Sequence, residues 1–102
     1  MAMVVALQGE DGVLVKRVVD IEGALPRLLP EVGGSILSVL GVIDRYGDTV
    51  FNRLQAPWLL SEWANIEAKA VNDYERELCS SIRELFELMR DGIHLYVRFV
   101  GD

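Results

Sequence analysis

The sequence predicts one α+β domain, in which an antiparallel sheet of about four strands carries a two-helix hairpin on one face. Three observations lead to this fold: β-branched runs near the N-terminus, two helical patterns in the second half, and apolar alternation at the C-terminus. The chain has 102 residues, 51% of them hydrophobic, which is enough to bury one core without disulfides or metals. We therefore expect residues 1–102 to form a single domain.

The N-terminal third predicts a β-hairpin followed by an irregular connection. Runs at 3–8 and 13–19 are rich in β-branched residues and flank a short loop with glycine at both ends. Between 21 and 34, glycines and prolines leave room for at most one helical turn. The almost wholly apolar run at 36–43 predicts a third strand, although it also fits a buried helical turn.

Two helical patterns follow. The first begins at Pro57, because a proline suits the first helical position, where its missing N–H costs nothing. Its apolar stripe consists of Leu59, Trp63, Ile66 and Ala70. The second pattern starts after Asn72, an N-cap residue with Glu75 three positions later, and stops at Gly92.

The corner between these patterns leaves an alternative open. Residues 69–72 contain neither Gly nor Pro, so one continuous helix of about 35 residues, roughly 50 Å long, is the competing interpretation. Its apolar stripe would extend beyond the sheet and would have to bury against a second subunit, which would make the protein a homodimer. The capping residues favour two helices.

The last strand has the clearest pattern. From residue 93 to residue 99, apolar residues alternate with His94, Tyr96 and Arg98, which is typical of a strand with one face on the core. The polar side chains are expected on the open face of the sheet beside Lys16 or Arg17. That face could be exposed to solvent or contact a second subunit.

Composition limits the compartment and the partners. The 16 acidic and 10 basic residues give a net charge of −6, which opposes binding to phosphate backbones and anionic lipid surfaces. A single cysteine, no signal-peptide pattern and no apolar run of about 20 residues predict a soluble cytoplasmic protein. We expect no nucleic-acid partner and no membrane partner.

The chemical inventory argues against an enzyme. The chain has one histidine and one cysteine, and it has no Gly-rich phosphate loop and no His–Cys metal pair. His94 is predicted on a solvent face, and Cys79 borders the apolar stripe of the second helix, where a thiol is usually inert packing. We predict a non-catalytic protein that needs no cofactor.

A polar junction at 44–58 separates the apolar run from the first helix and admits three interpretations. In the first, Asp44 and Asp48 are turn and cap residues, and Asp48 caps a short helix at 49–54. In the second, oxygen-rich side chains bind a divalent cation, although their spacing does not match an EF-hand loop. These are Asp44, Asp48, Thr49, Asn52 and Gln55.

The third interpretation, which we carry forward, makes the junction a recognition surface for a protein or peptide. Asp48 and Arg53 supply its polar contacts, while Tyr46 and Trp58 are aromatic anchors of the kind that dominate binding hot spots. The segment 44–55, Asp-Arg-Tyr-Gly-Asp-Thr-Val-Phe-Asn-Arg-Leu-Gln, resembles a stretch found in small, functionally uncharacterised bacterial proteins. That resemblance implies a bacterial source and brings no activity with it.

Charge on the helices suggests a partner. Between residues 62 and 91 there are eight acidic and four basic residues, so the segment carries −4 of the net charge. These acids, Glu75, Glu84 and Glu87 among them, form either a solvated helical face or an acidic surface that steers a basic partner into contact. Small acidic immunity proteins that neutralise nuclease toxins resemble this profile in composition.

The sequence therefore favours a non-catalytic protein-binding module, for example an acidic immunity-like inhibitor of a partner protein. The alternative is a small-ligand or divalent-metal-binding protein that uses Asp44, Asp48 and Asn52.

Overall fold

The computed structural model describes residues 2–30 and 38–101. Its four strands form one antiparallel sheet in the order β2-β1-β4-β3. The strands are β1 (Val4–Gly9), β2 (Leu14–Val19), β3 (Asp48–Phe51) and β4 (Leu95–Val100). The helices are α1 (Leu25–Leu28), α2 (Ala56–Ala68) and α3 (Asp73–Asp91). The α+β fold with helices packed against the sheet is confirmed.

Alternation along the strands separates a core face from an open face. Val5 and Leu7 of β1 and Val97 and Phe99 of β4 are buried on the side of the helices. Arg17 and Arg98 flank Ala6 on the opposite face, as the strand pairing requires. The hairpin itself is confirmed, and from Val97 to Phe99 the C-terminal strand has the faces that its period-two pattern predicted.

The start of the C-terminal strand differs from the prediction. Ile93 was expected on the core face, but it is 76% exposed, and the strand begins only at Leu95. His94 has a left-handed backbone with φ of +55°, which turns the chain between α3 and β4. The alternating pattern was therefore extended two residues too far toward the N-terminus.

The prediction of a third strand at 36–43 is wrong for its described part, and residues 36 and 37 lie outside the described residues. Leu40–Val42 is a 3₁₀ turn. The Glu62 carboxylate accepts hydrogen bonds from the Val39 and Leu40 N–H groups at 2.8 and 3.0 Å. The Glu62 side chain of α2 thus accepts hydrogen bonds from backbone N–H groups that, in a strand, would bond to a neighbouring strand.

The third strand lies instead within the polar junction, as β3. Asp48 starts this strand, so the predicted helix at 49–54 and the cap by Asp48 are both wrong. The N-cap of the next element is Asn52, whose side chain accepts from the Leu54 N–H while Gln55 accepts from the Asn52 N–H. This capping box begins a 3₁₀ turn that continues directly into α2.

The two-helix prediction is confirmed. Asn72 accepts a hydrogen bond from the Glu75 N–H at 2.8 Å, and Glu75 accepts from the Val71 N–H at 3.0 Å. These bonds start α3 at a tight corner, so the long continuous helix and the dimer that it would require have no support. At the other end α3 stops at Gly92, where a β-carbon would lie 2.9 Å from the Leu88 carbonyl oxygen.

A row of aromatic rings joins both long helices to the sheet. Trp63 of α2 contacts Phe86 of α3, which contacts Phe99 of β4, which contacts Phe51 of β3, with ring centroids 5.4, 6.1 and 5.9 Å apart. The Trp63 Nε1–H donates to the Cys79 carbonyl oxygen at 2.9 Å, so the indole is buried without an unpaired donor. This row forms the centre of the hydrophobic core.

None of the described helices has the length and apolarity to cross a membrane.

A buried carboxylate holds the short helix α1 in place. Asp20 is 1% exposed and accepts hydrogen bonds from the N–H groups of Ala24 and Leu25 at 3.1 and 2.6 Å. The Tyr74 hydroxyl donates to the same carboxylate at 2.7 Å and connects it to α3. Asp20 thereby satisfies the amides at the start of α1 and joins that helix to the core.

Candidate functional site

The polar junction is not one site, because β3 divides it. Before β3, the Asp44 carboxylate accepts from the Tyr46 N–H at 2.8 Å, and the Asp44 N–H donates to Thr49 Oγ1 at 2.9 Å. These bonds make a tight turn, as the structural interpretation of Asp44 anticipated. Tyr46 is 85% exposed at this end of the sheet.

Arg45 has a structural role that sequence reasoning missed. Its guanidinium donates to the carbonyl oxygens of Pro26, Leu29 and Pro30 at 3.0, 3.1 and 3.0 Å. Carbonyl groups at the end of a helix lack partners within the helix, and a guanidinium can satisfy several of them at once. Nothing in the local sequence indicates this pairing, because the partners lie 15 to 19 residues away.

Asp48 is engaged on the open face of the sheet. Its carboxylate forms an ion pair with the Arg98 guanidinium on the neighbouring strand β4. The two side chains are diagonal neighbours, because Arg98 pairs directly with Val50. Asp48 therefore connects β3 to β4. Tyr46 precedes β3 and Arg53 follows it, so these two predicted site residues lie at opposite ends of that strand.

The oxygen-rich side chains of the junction do not converge on one point. Asp44 and Thr49 make the turn, Asp48 pairs with Arg98, and Asn52 and Gln55 form the capping box. Within residues 2–30 and 38–101 there is no group of three or more His, Cys, Asp or Glu side chains that could hold a metal ion. The turn, the ion pair and the cap account for all five side chains without a cation.

After β3, the junction forms one wall of a groove. Asn52, Arg53 and Leu54 face residues 93–96, where α3 ends and β4 begins, across a volume of about 270 Å³. We call this the Arg53 groove. It brings two of the predicted site residues, Asn52 and Arg53, together with His94 and Tyr96. Antiparallel pairing of β3 with β4 creates it, because the end of one strand lies beside the start of the other.

The walls of the groove combine exposed apolar side chains with basic groups. Leu54 is 72% exposed and Ile93 is 76% exposed, and both side chains line the same groove. Arg53 makes no ion pair with any described residue. His94 Nδ1 lies 3.2 Å from a carboxylate oxygen of Glu10 on the β1–β2 loop. The groove therefore offers apolar surface around a cation that forms no ion pair with the described residues.

Trp58 extends this surface. It is 61% exposed on the first turn of α2, four residues after Leu54 in one uninterrupted helical stretch. Residues four apart on a helix lie on the same side. Trp58 and Leu54 thus lie on the same side of the helical stretch that begins at the Arg53 groove. Trp58, one of the two predicted aromatic anchors, is exposed to solvent.

The acidic surface on the helices is smaller than the sequence suggests. Six of the eight acids between residues 62 and 91 already have partners. Glu62 accepts from backbone amides, and five others pair with basic side chains: Glu67 with Arg83, Asp73 with Arg76, Glu75 with Arg27, Glu84 with Lys16, and Asp91 with Arg90.

Glu75, which the sequence places among the surface acids, is buried. It is 6% exposed, and its carboxylate pairs with Arg27. The Arg27 guanidinium and then the Val71 N–H hold the pKa of this carboxyl below its usual value. Glu84 is exposed and pairs with Lys16 at 2.6 Å, while Glu87 is half-buried and has no ion pair within the described part of the chain.

Cys79 and His94, the two residues considered for catalysis, differ in their exposure to solvent. Cys79 is 1% exposed in the core, and burial raises the pKa of its thiol to about 11, so the thiolate is scarce at neutral pH. This agrees with a packing role for Cys79. His94 is exposed on the rim of the Arg53 groove beside Glu10.

The chain matches no protein-family model, no curated protein and no solved structure.

Proposed function

We propose that this chain is a non-catalytic protein-binding module whose partner docks at the Arg53 groove. The observation that supports it is the exposure of Leu54 and Ile93 around Arg53. Exposed apolar side chains that adjoin one another on a small domain commonly mark an interaction site. Arginine and tryptophan are also enriched among residues that contribute most to binding energy, which fits Arg53 and Trp58.

The charges of the groove suggest the chemistry of the partner. Arg53 has no carboxylate beside it among the described residues, although the chain has six more acidic than basic groups. A partner segment with a carboxylate next to an apolar side chain would satisfy Arg53 and cover Leu54 and Ile93 together. The expected basic partner has less support, because most helical acids already have partners. Immunity-like inhibition remains a hypothesis about the biological role.

The alternative of a small-ligand or metal-binding protein has weaker support. Typical pockets for small molecules enclose about 300–1,000 Å³ and surround most of the ligand. The Arg53 groove measures about 270 Å³, and its side chains are largely exposed. A cation would have to displace the existing partners of Asp44, Asp48 and Asn52.

The experiment is site-specific photo-crosslinking in cells of the source organism, with a photoreactive residue at position 54 or, as control, at position 71. Leu54 and Val71 are both 72% exposed, so they differ in location and not in accessibility. We expect a crosslinked protein adduct at position 54 that is absent at position 71. Equal labelling at both positions, or none at either, would contradict docking at the groove.

Matched charge substitutions then test the affinity for the captured protein. Ile93→Asp should weaken binding about 30-fold, which corresponds to losing a hot-spot contact of about 2 kcal/mol. Ile21→Asp is the control, because Ile21 is 77% exposed and Ile93 is 76% exposed. Both variants should keep the circular dichroism spectrum and melting temperature of the wild type, since neither side chain is buried. Equal weakening by both substitutions would locate the contact elsewhere.

A further inference from the structure

The edge strand β2 is exposed along nearly its whole length. It lies at one end of the sheet order, and among the described strands it pairs with β1 alone. Leu14, Val15 and Val19 are among its exposed residues, with Val13 exposed just before it. Natural proteins usually protect a sheet edge with prolines, charged side chains, bulges or a covering segment. β2 has no proline; its register shifts between Leu14 and Lys16, and its two charges are Lys16 and Arg17.

The strand pairing fixes which backbone groups point away from the sheet. The Asp20 N–H donates to the Met3 carbonyl oxygen at 3.0 Å, so Met3 and Asp20 are a hydrogen-bonded pair. Such pairs alternate along an antiparallel ladder, so Val18 bonds to β1 and its neighbours do not. Arg17 and Val19 therefore direct their N–H and C=O groups outward, where an added strand could bond to them.

Charge distinguishes between the two kinds of strand that could bind there. Lys16 already pairs with Glu84 at 2.6 Å, whereas Arg17 has no ion pair within residues 2–30 and 38–101. If two copies of β2 paired with Arg17 opposite Arg17, the two guanidinium groups would repel each other, and if Arg17 lay opposite Val19 of the second copy, the guanidinium would face an apolar side chain and no carboxylate. Two copies also each carry a net charge of −6. An acidic residue opposite Arg17 meets neither obstacle.

We propose that β2 binds an extended segment of a partner protein as a fifth, antiparallel strand. The segment carries an acidic residue opposite Arg17 and an apolar residue opposite Val19, on the open face of the sheet. Main-chain hydrogen bonds to Arg17 and Val19 supply the pairing, and the two side chains select the sequence. This edge lies on the far side of the sheet from β3, so the proposal does not rest on the Arg53 groove.

The test uses amide chemical shifts of the ¹⁵N-labelled protein during titration with a designed peptide. The peptide is capped and seven residues long, with valine at its second and sixth positions, glutamate at its fourth and threonine elsewhere. We expect shifts and slowed hydrogen exchange at Arg17 and Val19. A peptide with lysine at the fourth position should bind about fivefold to tenfold more weakly, because a cross-strand attraction becomes a repulsion.

Two variants control the experiment. Arg17→Glu should reverse the preference, so that the lysine peptide binds more tightly than the glutamate peptide; Arg17 is exposed, so this variant is expected to fold. Arg53→Glu should bind both peptides as the wild type does, because Arg53 follows β3, which forms the opposite edge of the sheet from β2.

Three outcomes would overturn the proposal. Shifts absent from β2 at millimolar peptide would show that the edge does not accept a strand. An unchanged peptide preference in Arg17→Glu would show that charge does not select the segment. A wild-type dimer by light scattering at tens of micromolar, made monomeric by Val19→Lys, would show that the occupant of the edge is a second copy of the chain.

Discussion

Removal of the Asp20 carboxylate is expected to be the most damaging polar substitution in the described structure. Asp20→Ala deletes the acceptor of three hydrogen bonds, from Ala24, Leu25 and Tyr74. The Leu25 N–H is buried and would lose its partner, at a cost of about 2 kcal/mol. The other two donors are partly exposed and can recover water, so we assign them about 0.5 kcal/mol each. The sum is a loss of about 3 kcal/mol.

Urea unfolding monitored by circular dichroism measures this loss. With a slope of about 1.5–2 kcal/mol per molar urea for a domain of this size, the midpoint should fall by about 1.5–2 M. Tyr74→Phe removes the hydroxyl that donates to Asp20 and accepts from the Glu22 N–H, and it should cost about 1 kcal/mol. Because Asp20 and Tyr74 share one of these hydrogen bonds, the double variant should be less destabilised than the sum of the single variants, by the roughly 0.5 kcal/mol assigned to that bond.

Two results would refute this reasoning. A loss of less than about 1 kcal/mol for Asp20→Ala would mean that water replaces the carboxylate at Leu25. Strict additivity of the two substitutions would mean that the Tyr74 hydroxyl and the Asp20 carboxylate do not interact in solution.

Two further predictions concern ionisable groups. The Arg27–Glu75 ion pair should stabilise the fold fully at neutral pH and progressively less as the pH falls through the folded pKa of Glu75, which is lowered from 4.5. The melting temperatures of the wild type and of Arg27→Met should therefore converge below that pH. A difference in melting temperature that stays constant with pH would contradict the pairing. Cys79 is buried and the pKa of its thiol is raised to about 11, so it should resist iodoacetamide at pH 8 and react only when urea unfolds the chain. Rapid labelling of the native protein would show that the core opens at α3.

Local signals were sufficient for the elements that depend on near neighbours. The N-terminal hairpin, the cap at Asn72 and the stop at Gly92 each rest on residues a few positions apart, and each was predicted correctly. The apolar run at 36–43 misled, because an unbroken apolar run has no periodicity by which a strand can be told from a helical turn. The real third strand has four residues and sits among turn-forming ones, so its pattern was too short to recognise.

The errors in the site have a different physical origin. Asp20, Arg45 and Glu62 satisfy backbone groups through contacts that span 4 to 23 residues, and only the short ones leave a local pattern. The Arg53 groove depends on the pairing of β3 with β4, which no local pattern specifies. The burial of Glu75 could have been anticipated, because it lies three and four positions before Leu78 and Cys79, on the apolar stripe of α3.

The sheet order has a consequence for how the protein folds during synthesis. The two central strands, β1 and β4, come from opposite ends of the described chain, and Val4 lies opposite Val100. The sheet therefore cannot close until the last strand has left the ribosome, although the N-terminal hairpin is complete much earlier. Until then, the edge of β1 that pairs with β4 has free backbone N–H and C=O groups. A chain stalled before residue 95 would expose this edge and should be a preferred substrate for chaperones.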